Sequence, residues 1–304
     1  MAIRIVLTVD ATAAEVIGAF RRAGVRSIML KGPSLARWLY EPESTRISAD
    51  VDLLVAPPDR VAAEHALASL GFKPFPTNVV EDRYALPWSR RGNPVYVDLH
   101  LTLLGVNVSN EKAWDVLSRE TDEMTIGGVS AAVLAPPARA MHVALHAAQH
   151  GARFERPLED LRRALAQLPL EVWRDAADLA SELEAEPMLA AGLGLLVPGK
   201  ALLRTLGLPE RKTVEVALLA RSPPHVALGL HRLTTLPGLF PKAVFVARKL
   251  VPTPEWMRAW LPLARRGTPG LLAGYVWRPV WLMLRTPSAF RALKRAKRDS
   301  GASP

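Results

Sequence analysis

Apolar positions in the first 136 residues follow helical spacing in some stretches and strand-like runs in others. Helical spacing predicts helices at residues 11–23, 34–40 and 59–70, with Gly24 and Gly71 as stops after the first and last. Short apolar or alternating runs predict strands at residues 25–30, 51–55, 72–75, 83–88, 94–104 and 129–134. This part of the chain is therefore expected to fold as a mixed α/β domain.

The pattern changes after Pro137. Residues 138–150, 158–168, 170–183 and 188–196 all show helical periodicity, and proline and glycine punctuate the remainder. We predict an α+β fold with two parts: an N-terminal mixed-sheet domain at residues 1–136, and a helical region at 137–304 that ends in a basic tail.

Composition narrows the class of protein. The chain has 304 residues and is 49% hydrophobic, which is enough for a sizeable core. It has no cysteine, so disulfides and thiolate metal sites are excluded and a reducing compartment fits. The apolar part of the N-terminus is short for a signal peptide, and no run approaches the roughly 20 apolar residues of a membrane span. We therefore expect a cytoplasmic protein.

Positive charge is concentrated near the C-terminus. The net charge is +10, and nine Lys/Arg against one acid lie from Arg265 onward, leaving +2 for the preceding residues. This distribution disfavours a nucleic-acid-binding role for the whole chain.

The basic tail follows an apolar, aromatic stretch at residues 271–284. The favoured interpretation is a packed helix with a solvated basic end. The alternative is contact with an anionic membrane surface or an acidic partner. Pro279 argues against one uninterrupted helix here.

Three carboxylates occupy strand positions. Asp50 and Asp52 lie at the start of the 51–55 strand, where residues i and i+2 share a face, and Asp98 lies in the 94–104 strand. Buried carboxylates are costly unless they are paired or bind a metal. If the strands are neighbours, the three could converge on two Mg²⁺ ions that also bind phosphates. The alternatives are a strand-entry cap for the pair and a salt bridge for Asp98.

A glycine-serine turn lies upstream of the aspartates. Gly32 permits close backbone approach to a phosphate, and Ser34 lies near a predicted helix start, where free N–H groups bind anions. Lys31 and Arg46 are cations suited to a triphosphate, although either could be an ordinary surface charge.

The order of four motifs resembles the uncharacterised nucleotidyltransferase family. These are Leu-Lys-Gly-x-x-Leu, Tyr followed by Arg six residues later, Asp-x-Asp-Leu-Leu-Val and Val-Asp-Leu-His. That family lies within the DNA polymerase beta-like nucleotidyltransferase superfamily. The sequence departs from the superfamily pattern at Pro33, which separates Gly32 from Ser34, and in the long gap from Ser34 to Asp50.

The resemblance implies Mg²⁺-dependent transfer of a nucleoside monophosphate, with adenylyl from ATP favoured, to a hydroxyl or phosphate acceptor with release of pyrophosphate. Asp50 and Asp52 would hold the nucleotide-bound Mg²⁺. Asp98 would help hold a second ion and favour deprotonation of the acceptor. The acceptor is open: a small molecule, a peptide, a sugar or a protein. The alternative is a non-catalytic module that binds nucleotide or a partner on the same fold.

Three histidines, His142, His146 and His150, recur every four residues in one predicted helix. The outer two would lie about 12 Å apart along the axis, so one ion cannot bind all three. A zinc pair lacks an evident third ligand, and we favour a polar helix face packed against the active-site cleft. His146 and Asp160 are candidate cleft-lining residues.

Overall fold

The computed structural model describes residues 2–41, 46–75, 85–208, 213–219 and 225–301. Within them lie seven strands: β1 Ser27–Met29, β2 Asp50–Val55, β3 Lys73–Pro74, β4 Ala85–Ser89, β5 Tyr96–His100, β6 Thr121–Ile126 and β7 Val129–Leu134. Nine helices precede residue 209: α1 Ala2–Arg22, α2 Pro33–Leu39, α3 Arg60–Ser69, α4 Asn110–Leu117, α5 Pro136–His150, α6 Glu155–Gln167, α7 Leu170–Glu182, α8 Glu186–Leu193 and α9 Val197–Thr205. Five follow: α10 Val214–Leu219, α11 His225–Thr235, α12 Leu239–Leu250, α13 Pro254–Trp260 and α14 Gly267–Asp299.

The seven strands form one mixed sheet in the order β3-β4-β5-β2-β1-β7-β6. The central strand β2 runs parallel to β5 and antiparallel to β1. On the other side, β1 pairs parallel with β7, which pairs antiparallel with β6. The predicted α+β fold with a mixed N-terminal sheet is confirmed.

One face of the sheet is apolar and the other carries the carboxylates. The odd positions of β2 and β5, including Val51, Leu53 and Val97, belong to the main core with residues from α1 and α3. Because strand side chains alternate, the intervening positions face the opposite side. Asp50, Asp52 and Asp98 therefore share the face away from this core.

Several elements differ from their predicted bounds. Helix α1 begins at Ala2 and not at residue 11, β5 is shorter than the predicted 94–104 strand, and β3 has two residues. The predicted 83–88 strand starts outside the described residues, and β4 covers its later part. Helix α4 and strand β6 were not predicted. β6 is mostly exposed and polar, so it lacks apolar alternation, and its pairing with β7 defines it.

The chain forms two compact units. One comprises residues 1–75 and 83–210, and the other comprises 76–82 and 211–304. The helical region predicted after residue 137 is confirmed, but the unit that carries the sheet extends past residue 136. Helix α5 packs against α6, α7 and α8 within that unit.

The second unit is built around α14, which packs on α10, α11 and α13. This helix continues through Pro279 and Pro287, so the expectation that Pro279 would interrupt it was wrong. Tertiary contacts outweigh the helix penalty of proline. Arg278, just before Pro279, lies over the rings of Trp256, Trp260 and Trp281. Within the described residues, no helix combines the length and apolar character that crossing a membrane requires.

Candidate active site

The centre of the site is the parallel ladder between β2 and β5. Asp52 lies directly opposite Asp98, and Asp50 lies opposite Tyr96. Neighbouring positions of paired strands point to the same face, so the side chains of Asp52 and Asp98 project side by side. The strands that carry Asp52 and Asp98 are therefore neighbours, which the sequence alone could not establish.

Asp52 is fully buried and makes two side-chain contacts through one oxygen. Its Oδ1 lies 3.0 Å from Lys31 Nζ and accepts from His100 Nε2, also at 3.0 Å. Its Oδ2 is buried and has no hydrogen-bond partner among the described residues. Burial alone would raise the pKa of Asp52, but Lys31 and His100 outweigh it and hold this pKa well below its usual range. Asp52 is therefore ionised and presents a free carboxylate oxygen.

Asp98 has the opposite electrostatic environment. Burial and the adjacent charge of Asp52 raise the pKa of Asp98 to about 6. For Lys31, burial lowers the pKa, but the charges of Asp52 and Asp50 outweigh burial and raise it. The site thus contains a protonated ammonium and closely spaced carboxylates.

Asp52, Asp98 and His100 can each offer one ligand atom within 4.8 Å of the other two. The unpartnered Oδ2 of Asp52 supports a cation here, because a buried carboxylate oxygen without a donor is otherwise unfavourable. These residues therefore fit a divalent ion. Asp50 is outside this group, and its Oδ1 accepts from Ser48 Oγ at 2.7 Å.

The turn at Gly32 packs against the start of β2. Gly32 has φ 71°, and a Cβ there would lie 3.2 Å from the Asp50 carbonyl oxygen and 3.3 Å from Ser48 Oγ. Glycine is thus required by both the positive φ and the close approach. Ser34, in the first turn of α2, is fully buried, and its Oγ has no partner among the described residues.

Arg46 is buried and braces this turn. Its Nε and Nη2 donate to the two carboxylate oxygens of Asp160 at 2.8 and 2.7 Å, and its Nη1 donates to the Gly32 carbonyl at 3.3 Å. Tyr40 Oη donates to Asp160 at 2.6 Å. Burial lowers the pKa of Arg46, but the Asp160 contacts outweigh it and raise this pKa. The observed role of Arg46 is therefore structural, and its contact with nucleotide stays a prediction.

The three histidines of α5, His142, His146 and His150, lie next to one another along one side of the helix. The ring centroids of His142 and His146 lie 6.3 Å apart, and those of His146 and His150 lie 4.6 Å apart. Burial lowers the pKa of all three, and the charge of Lys31 lowers it further. They belong to no potential metal cluster of the described residues. His142 is buried, whereas His146 and His150 are partly buried, and the packing of this helix face against an active-site cleft stays a prediction.

The structure places further residues at the site that were not predicted from the sequence. His100 lies two positions after Asp98, so the alternation applied to Asp50 and Asp52 would have found it. Ser48 and Tyr40 act through contacts that depend on the fold, and neither stands out in the sequence. Asp160 pairs with Arg46, and its predicted place at the cleft stays a prediction.

Comparisons with known proteins identify the family of the chain. The family described as "Uncharacterised nucleotidyltransferase" matches residues 3–197. Among solved structures, the chain is similar to the antibiotic-resistance factor ANT(2'')-Ia, with 16% identity and a TM-score of 0.43. That similarity covers 58% of this chain and 93% of the other. No curated protein sequence matches the chain. Since the family match extends over more than half of its length, the chain belongs to the uncharacterised nucleotidyltransferase family.

Proposed function

We propose that this protein transfers a nucleoside monophosphate from a nucleoside triphosphate, with ATP favoured, to a hydroxyl or phosphate acceptor. The observation that carries this proposal is the Asp52–Asp98 pair on adjacent strands, with a buried, unpartnered oxygen on Asp52. Family membership supports the same reaction class. The proposed location is the cytoplasm, and a chain without cysteine is compatible with that reducing compartment.

In this reaction an acceptor oxygen attacks the α-phosphorus, the bond from that phosphorus to the bridging oxygen breaks, and pyrophosphate leaves. Asp52 and Asp98 would hold Mg²⁺, with Asp50 as the third predicted ligand and a second ion expected. Bound Mg²⁺ would stabilise negative charge on the phosphates. Asp98 would favour departure of the acceptor proton. Lys31, beside Asp52, would contact a phosphate oxygen, and the Gly32 and Ser34 turn would lie against the triphosphate.

The test measures pyrophosphate release with Mg²⁺, each nucleoside triphosphate and a panel of hydroxyl and phosphate acceptors. We expect Asp52→Asn and Asp98→Asn to lower kcat/KM by about 100-fold or more, because each removes charge that the reaction needs. Asp115→Asn is the matched control, since Asp115 is exposed on α4. Turnover that survives both site substitutions would reject the assignment.

One contact favours a second candidate. Lys31 already neutralises Asp52 without a metal, which suits a non-catalytic module that binds nucleotide or a partner. Calorimetry with α,β-methylene-ATP separates the two. Mg²⁺-dependent binding that Asp52→Asn removes supports the enzyme. Metal-independent binding with no turnover over the acceptor panel supports the module.

A further inference from the structure

We propose that the exposed face of α14 binds an anionic lipid bilayer surface, lying on it without crossing it. This inference concerns residues 267–299 and is independent of the carboxylate site. It rests on where α14 places apolar and basic residues, on what already covers its other face, and on the charge of the surrounding helices.

The exposed face of α14 has two consecutive parts. In the first part, Leu272, Val276 and Leu284 are 61%, 75% and 67% exposed, and Val280, Met283 and Phe290 are exposed as well. In the second part, Arg291, Lys294, Arg295 and Arg298 are exposed. At about 100° per residue, all these positions fall within one arc of about 140°. The apolar part extends about 27 Å along the axis and is continued on the same side by cations.

The opposite face of α14 is already packed within its own unit. Ala289, Leu293 and Ala296 form a core with residues of α10 and α11. Nearer the start, Gly274 lies against the side chains of Met257 and Leu261, so that a Cβ there would meet Met257 at 2.8 Å. The exposed apolar residues are therefore additional to the side chains that hold the unit together, and their exposure requires a separate explanation.

The positive charge of α14 and its neighbouring helices indicates what binds the exposed face. Residues 225–301 contain fourteen Lys/Arg and two acids, Glu255 and Asp299. An anionic bilayer offers phosphate groups to the cations and hydrocarbon to the apolar part at the same time. A nucleic acid would use the cations and leave the apolar part in water. A second copy would bring two strongly cationic surfaces together.

The test is sedimentation of the full chain with vesicles of phosphatidylcholine alone or mixed with phosphatidylglycerol. We expect at least about tenfold stronger partitioning onto the anionic vesicles, with loss of binding at high salt. Replacing Leu272, Val276 and Leu284 by serine should reduce this partitioning about tenfold. Replacing Lys294, Arg295 and Arg298 by glutamine should reduce it similarly and weaken its salt dependence.

The matched control replaces Leu7, Val61 and Val197 by serine. These residues are equally exposed but belong to the other unit, so their replacement should leave vesicle binding unchanged. Circular dichroism and thermal unfolding establish that each variant is folded. Equal binding to both vesicle types, or equal binding by the α14 serine variant and the wild type, overturns the proposal.

Two further outcomes would assign the face to another occupant and also overturn it. In one, light scattering shows a dimer that the α14 serine variant abolishes, while no vesicle binding occurs. In the other, the chain binds polynucleotide but not vesicles, and only the glutamine substitutions weaken that binding.

Discussion

At the scale of single residues, the site depends on buried charges that have specific partners. Arg46 and Asp160 are 3% and 1% exposed in their side chains, and Arg46 also contacts the Gly32 carbonyl. Asp52 has Lys31 and His100 on one oxygen. Buried charges of this kind are strongly destabilising when one partner is removed, because the other charge stays desolvated.

We predict that Asp160→Asn lowers the free energy of unfolding by about 3–5 kcal/mol, because it leaves Arg46 charged and buried without its carboxylate. Urea unfolding measures the change. Glu64→Gln is the control, since Glu64 pairs with Arg60 at the surface and should have much less effect. A loss in Asp160→Asn no larger than in the control would show that the buried pair does not stabilise the fold.

Gly32→Ala tests the turn against the β2 strand. Both Gly32 and Gly92 have positive φ, at 71° and 82°, but a Cβ at Gly92 would meet nothing within 4 Å. We expect each alanine to cost about 1–2 kcal/mol of stability from backbone strain.

Only Gly32→Ala should also weaken binding of α,β-methylene-ATP with Mg²⁺, by about tenfold, because the Asp50 carbonyl must move. Calorimetry and urea unfolding give the two quantities. If Gly92→Ala weakens nucleotide binding as much as Gly32→Ala does, the turn has no special role.

At the scale of secondary-structure elements, the sequence predicted those whose local pattern is strong. The apolar run of β2 and the alternation in β5 predicted these two strands, and helical periodicity predicted α5, α6 and α7. The pairing of Asp52 with Asp98 was not visible, because strand order is set by tertiary packing. The contact of Arg46 with Asp160 joins residues 114 positions apart, and local pattern carries no information on such a pair.

Helix α5 illustrates how an element can carry pH dependence. Burial, reinforced by the charge of Lys31, lowers the pKa of His142 to about 3, and that of His146 falls well below its usual value. In the unfolded chain both titrate near 6.5. Below that pH the unfolded state therefore binds more protons than the folded state, so stability falls as the pH falls.

We predict that the free energy of unfolding decreases between pH 6.5 and 3 by up to about 1.4 kcal/mol per pH unit for each buried histidine. In His142→Gln, the slope of the free energy of unfolding against pH should correspond to about one fewer proton taken up on unfolding. Urea unfolding at a series of pH values measures it. His65→Gln, on the exposed surface of α3, is the matched substitution for comparison. An equal slope in His142→Gln and wild type would show that His142 is not held neutral.

At the scale of the whole molecule, the two units carry different chemistry. The family match covers residues 3–197, and the carboxylates, Gly32 and α5 all lie in the first unit. The net positive charge of the chain lies in the second, because acids slightly outnumber Lys and Arg in the first. From sequence, the change in pattern after residue 137 suggested a boundary there. A boundary at that position would separate Asp160, which pairs with Arg46, and the helices that pack on α5 from the sheet.

The two possible boundaries give opposite expectations for truncated chains. A fragment of residues 1–208 keeps the sheet, the Arg46–Asp160 pair and helices α5 to α9, so we predict that it unfolds cooperatively. It should bind α,β-methylene-ATP with Mg²⁺ within about threefold of the full chain, because it retains every predicted site residue.

A fragment of residues 1–136 removes Asp160 and all of α5 beyond its first residue. It leaves Arg46 without its carboxylate and removes the buried residues of α5, so we predict that it fails to fold. Thermal unfolding and calorimetry on both fragments measure the difference. If the shorter fragment folds and binds nucleotide as well as the longer one, α5 and α6 belong to a separate domain and the brace on Gly32 is dispensable. Loss of binding in the longer fragment would instead assign part of the nucleotide site to residues after 208.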